Sequence, residues 1–204
     1  MPRKLFCQYG PVCYAISTAK ERGLRCLRDL WGGEDFACRQ QQEELPFIVM
    51  AHRSTLLRQL EGVDMALQRN KVVNLSLAAR GLDGLLLAPG QTLSFWRRVG
   101  EPSAKRGFLP GLTIAGGRPG QDVGGGLCQM ANLLHWLALH SPLTVTELHH
   151  HTDALFPDSG RRVPFGTGTS VFYNNVDYRV KNETPDTYQY RLWLEEEDLC
   201  GELR

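Results

Sequence analysis

Three consecutive glycines, Gly124, Gly125 and Gly126, run directly into a stretch where Leu127, Met130, Leu133, Leu134, Leu137 and Ala138 recur at the helical period. An apolar stripe of that kind has to be laid on something, and Ser141-Pro142 ends it, because the residue before a proline is pushed out of the helical region. Beyond the proline the period changes. Residues 143–148, 170–173, 178–181 and 188–194 alternate like strands and are separated by Pro, Gly and Asn. One core helix packed on an antiparallel sheet is an α+β fold.

Upstream, residues 16–30 read as a basic amphipathic helix ended by Gly32 and Gly33, with Ile16, Leu24, Leu27 and Leu30 as candidate core contacts. Residues 45–50 read as a buried strand, and residues 72–79 as a helix closed by Gly81 and Gly84. Residues 85–87, Pro89-Gly90 and 92–96 read as strand, turn, strand, since Pro-Gly supplies one fixed and one permissive φ. The Gly- and Pro-rich residues 100–126 read as an ordered surface loop. The chain divides into an N-terminal basic, Cys-containing helical segment (1–44) and a larger domain (45–204).

Charge and cysteines exclude several functions. The 204 residues carry 23 Lys+Arg against 22 Asp+Glu, net +1, which gives no reason to expect nucleic acid as a partner. No apolar run approaches the roughly 18 residues that suggest a transmembrane span. Arg3 and Lys4 precede Leu5 and Phe6 as in an export signal, but Gln8, Gly10 and Pro11 interrupt the apolar stretch, so the chain reads as cytoplasmic by default, with an envelope-associated role open. Cys7, Cys13, Cys26 and Cys38 lack the tight Cys-x2-Cys pair of a metal grip, so neither a metal nor another cofactor is expected. Six basic residues against Glu21 in the first 28 positions, and Glu195, Glu196, Glu197, Asp198 and Glu202 near the other end, read as two solvated faces.

The chemistry points to Cys128. A helix start has unpaired N–H groups and a positive partial charge, which favour a thiolate. Gly124, Gly125 and Gly126 would leave room for a substrate carbonyl, with main-chain N–H groups near Gly126 to Gln129 as an oxyanion hole. His135 and His140 stand roughly 10 and 18 Å along the helix from Cys128, too far to act as its base. The run His149-His150-His151 follows the next strand, whose end can lie beside the helix start on an antiparallel return, and there His149 and His151 share a face. Arg97, Arg98, Lys105, Arg106 and Arg118 are candidate carboxylate receptors. Two other classes fit the same residues: a binder gripping an anion at the helix start, and a metalloprotein using His149, His151 and a cysteine.

Leu86-x2-Pro89-Gly90-x-Thr92-x-Ser94-Phe95-Trp96, Gly124-Gly125-Gly126-Leu127-Cys128-Gln129, Glu147 with His151, and Asp177-Tyr178-x-Val180-x-Asn182 together resemble the VanW family of bacterial proteins. The resemblance implies a link to the cell envelope and to glycopeptide resistance, and an L,D-transpeptidase-like transfer between peptidoglycan stem peptides. It carries the family cysteine onto Cys128, its glutamine onto Gln129 and its histidine onto His151, with Trp96 and the three glycines as substrate-binding positions. The partner implied is a peptidoglycan stem peptide or muropeptide. Where the family has an aspartate, this chain has Gly168. If that aspartate orients the histidine, this chain recruits Asp153 or Asp177, runs as a Cys–His dyad, or is not an enzyme. The order of cysteine at a helix start, histidine, then acid also suits a papain- or transglutaminase-like core, by fold analogy alone.

Overall fold

The computed structural model describes residues 5–58, 64–115, 118–150, 168–173 and 176–204. In chain order its elements are α1 (Pro11–Trp31), β1 (Met50–Thr55), α2 (Met65–Leu82), β2 (Leu85–Leu87), β3 (Thr92–Ser94), α3 (Phe95–Val99), β4 (Pro110–Ala115), β5 (Arg118–Val123), α4 (Cys128–Leu139), β6 (Thr144–Glu147), β7 (Arg179–Lys181), β8 (Tyr188–Leu194) and β9 (Asp198–Leu203). The class is α+β. None of the described helices is long and apolar enough to cross a membrane.

The predicted stripe of α4 is the centre of the core. Met130, Leu133, Leu134, Leu137 and Ala138 are buried, and the helix packs on β1 and β9. Those strands belong to an antiparallel sheet of order β1-β9-β8-β2. Gly201 in β9 permits the close approach, because a Cβ there would lie 2.9 Å from both Leu133 and Leu192 side chains. Helix α2 opens on Asp64, whose carboxylate accepts the Ala66 N–H at 2.8 Å. Its buried residues Gln68, Lys71, Leu75, Ala78 and Leu82 keep the same period.

Several local expectations are corrected. Strand β1 begins at Met50, the last residue of the expected strand, and Phe47, Ile48 and Val49 are exposed. The stretch 85–96 is strand, turn and strand, but the two strands serve different sheets: β2 pairs with β8, and β3 with β7 in a second antiparallel sheet of order β3-β7-β6. Gly90, at φ +80°, donates its N–H to Asn182 O, and the Asn182 amide returns to Leu87 O at 2.8 Å. Phe95 and Trp96 open α3 instead of continuing β3. The expected surface loop contains the β4–β5 hairpin, and the acidic stretch after residue 194 contains β9, with Leu199, Cys200 and Leu203 buried.

Helix α1 is where it was expected, with the opposite face inward. No α1 residue is fully buried, and Ile16, Leu24, Leu27 and Leu30 are exposed instead of core. Its charged face makes the contacts: Arg22 to Glu101, Arg25 to Glu147, and Asp29 to Arg179 and Arg97. Farther on, Ala37 is buried, and residues 36 and 40 bridge to Thr92 and Leu85.

Candidate functional site around Cys128

Cys128 is the first residue of α4, as its position after the glycines dictates. The residue is half-buried and its thiol lies against the segment 170–171, 3.8 Å from the Val171 carbonyl oxygen. Burial pushes the thiol pKa up from its ordinary value, and a contact with a carbonyl oxygen is one that a protonated thiol makes by donating. The resting sulfur is therefore a thiol, with burial outweighing the helix-start field. Ser170 donates its N–H to His149 O at 2.6 Å, so one short segment separates the thiol from the start of the histidine run. His151 and Asp153 lie outside the described residues.

The same face of α4 carries Asn132 and His135, four and seven positions beyond Cys128. Asn132 Oδ1 accepts the Thr169 N–H at 2.6 Å, and His135 Nδ1 lies 3.3 Å from the buried Tyr178 hydroxyl. A polar row, Cys128–Asn132–His135, thus meets Val171, Thr169 and Tyr178 in turn. Gly168 is seated on Asn132: a Cβ would come within 2.8 Å of its Oδ1. Nothing in the sequence period singled out Asn132.

The glycines are packed, not open. A Cβ on Gly125 would lie 2.1 Å from Gly111 O, one on Gly124 2.5 Å from Pro102 Cβ, and one on Gly126 2.3 Å from Lys71 Cγ. Asn74, wholly buried, donates to Gly125 O and Leu109 O, both at 2.9 Å, and accepts the Leu109 N–H. The N–H groups of Gly124 and Gly125 donate to Leu109 O and Asp122 O. Gln129 holds β1, its amide donating to Ser54 Oγ and Thr55 O at 2.9 Å.

Beside this row lies a charge cluster. Asp177 is buried and accepts from Ser94 Oγ at 2.6 Å, from the Trp96 and Tyr178 N–H groups, and from Arg179 Nε at 2.9 Å. It thereby takes the Trp96 N–H at the start of α3, beside the Ser94 cap, and fixes Trp96, whose indole donates to Val176 O and stands edge-on to Tyr173. Glu147 meets the start of the histidine run: its Oε1 lies 2.9 Å from His149 Nε2, while Arg25 grips both oxygens at 2.7 and 2.8 Å. Burial alone would raise the Glu147 carboxyl, but Arg25 and His149 hold it at about 2. The candidate carboxylate receptors are occupied within the chain: Arg97 by Asp29, Arg98 by Gly81 O and Cys38 O, and Arg106 by Glu101 O and Val99 O. Lys105 is exposed, and the Arg118 side chain is not among those described. The described cysteines are free thiols, and among the described residues no three His, Cys, Asp or Glu converge as metal ligands.

A carboxyl with a folded pKa below its unfolded value stabilises the fold above the unfolded pKa and loses that contribution as pH falls through the folded one. For Glu147 the window is from about 4.5 to about 2, and the loss is on the order of 3 kcal/mol. Urea unfolding of wild type and Glu147→Gln at pH 6 and pH 3 measures it. The expected result is a variant that is weaker at pH 6 and has a shallower acid slope; identical slopes would refute the assignment.

Comparison with known proteins places these residues in context. A family model described as VanW like protein matches residues 70–204. The vancomycin B-type resistance protein VanW of Enterococcus faecalis is 38% identical over 162 residues, covering 79% of this chain and 59% of that protein. The uncharacterized protein YoaR of Bacillus subtilis is 28% identical over 110 residues, covering 54% of this chain and 35% of that protein. The chain therefore spans less than two thirds of the length of either relative. No solved structure matches it.

Proposed function

This chain belongs to the VanW family, and on that premise we propose that it is a cell-envelope-related, glycopeptide-resistance-associated protein that transfers acyl groups of peptidoglycan stem peptides or muropeptides through Cys128. The observation that carries the reading is the seating of the Cys128 thiol on the 170–171 segment, which is itself bonded to His149 at the head of the histidine run. Because the resting sulfur is protonated, catalysis requires a base, and His151 is assigned to it. The imidazole takes the thiol proton as sulfur attacks the donor carbonyl carbon; the amide C–N bond breaks, and the amine leaves with that proton. The thioester is then opened by an acceptor amine, or by water, whose proton returns through the histidine to sulfur. Gly124 and Gly125 have committed their N–H groups to the turn, so the oxyanion falls to N–H groups nearer Cys128. Trp96 is a substrate-facing wall. The papain- or transglutaminase-like analogy rests on residue order alone.

A second reading, a non-catalytic accessory protein that holds an anionic ligand at the start of α4, is favoured by the raised thiol pKa, and it would have to use N–H groups other than those of Gly124 and Gly125, which are committed to the turn. Incubation with muropeptides followed by mass spectrometry of the Cys128 peptide separates the two. Acyl transfer predicts a thioester adduct in wild type that disappears in Cys128→Ala and falls by at least about tenfold in His151→Ala. Ligand binding without adduct, retained in Cys128→Ala, would establish the accessory role instead.

A further inference from the structure

Helix α1 is amphipathic, and its apolar face is the one turned outward. At 100° per residue, Val12, Ile16, Leu27 and Leu30 fall within about 60° of one another, and Arg22, Arg25 and Asp29 form an equally narrow band about 140° away. The charged band is engaged with Glu101, Glu147, Arg179 and Arg97, so the helix cannot roll its apolar stripe inward without abandoning those pairs. The stripe stands in solvent: Val12 is 72% exposed, Ile16 54%, Leu27 43% and Leu30 69%, with Trp31 at 83% on its border. Tyr9, Tyr14 and Phe6 add exposed aromatic surface at the other end.

We infer that α1 is an interfacial helix that lays this stripe in the headgroup region of an anionic lipid bilayer. Twenty-one residues give a contact line about 30 Å long, and a helix of this amphipathic kind lies in the plane of the interface. The charges fit a negative surface: Lys20 borders the stripe, and besides the Arg22 and Arg25 already paired with Glu101 and Glu147 the first 28 residues hold Arg3, Lys4, Lys20 and Arg28 against Glu21 alone. Tyr and Trp at the two ends are the side chains that settle at headgroup depth. A second copy of the chain is the poorer occupant. Stripe against stripe would bring the Lys20 of both copies, which borders the stripe, to one seam.

The test is co-sedimentation of the full chain with vesicles of equal phosphatidylglycerol and phosphatidylcholine, and with vesicles of phosphatidylcholine alone. Wild type is expected to pellet with the anionic vesicles, several-fold less with the neutral ones, and the double variant Leu27→Ser, Leu30→Ser to partition at least about tenfold more weakly. Neither leucine is buried, so the variant keeps its fold, which circular dichroism verifies. The inference is overturned if wild type stays in the supernatant, if the double variant pellets equally, if neutral vesicles bind as well as anionic ones, or if velocity sedimentation shows a dimer that the same substitutions dissociate and that ignores vesicles.

Discussion

Gly125→Ala is expected to lower stability by more than about 3 kcal/mol, the upper end of what overpacking a core costs. The new methyl would sit 2.1 Å from Gly111 O and 2.2 Å from its carbon. Both obstacles are backbone, so no rotamer change relieves the clash. Gly111 is equally committed: a Cβ there would meet Gly125 O at 2.4 Å, and Asn74 fixes Gly125 O from the other side. Equilibrium urea unfolding measures the loss. A variant within about 1 kcal/mol of wild type would mean that the β4–β5 hairpin and the turn before α4 can separate cheaply, against the interior packing density of proteins.

The second large effect is expected at Asp177. Asp177→Ala strips Ser94, Trp96 and Tyr178 of their acceptor and leaves Arg179 facing Asp29 and Glu147 alone. Breaking a buried, hydrogen-bonded ion pair from one side costs about 3–5 kcal/mol. Thermal or urea unfolding reads the stability. Stability unchanged within about 1 kcal/mol would overturn the role assigned to this carboxylate as the anchor of α3.

Reading the sequence located α4 well because its stripe is local: every residue that defines it lies within twelve positions, and the glycines and Ser141-Pro142 mark its ends. The α1 helix was equally visible, but its orientation was not. An apolar stripe ordinarily faces a core; here Arg25 and Asp29 find Glu147 and Arg179 more than a hundred residues away, and no periodicity encodes that. Strand β9 was hidden by its acidic neighbours, since Glu195 to Asp198 dominate a window in which Leu199, Cys200, Gly201 and Leu203 are the buried residues of the strand. The β4–β5 hairpin was hidden by Pro110, Pro119 and its glycines. At the site, Cys128 stood out from the helix-start argument, whereas the uses of the glycines, Gln129 and Asp177 did not. Gly and buried Asp serve close packing and capping as readily as catalysis, and residue type and spacing alone do not separate those uses. Glu147, named in the sequence for its spacing to His151, meets His149 in the structure.

The strand order β1-β9-β8-β2 places the strand farthest along the chain in the middle of its sheet. On a ribosome, β1 emerges about 150 residues before the strand it pairs with, so it must wait with both edges open. Neither β1 nor β8 can satisfy that side of its backbone until residues 198–203 arrive and close the gap in one insertion. Folding of this half of the molecule is thus postponed until residues 198–203 have been synthesised. Its rate should be slow, limited by the closure of a very long loop, and the waiting β1 edge is where a chaperone would have most to protect.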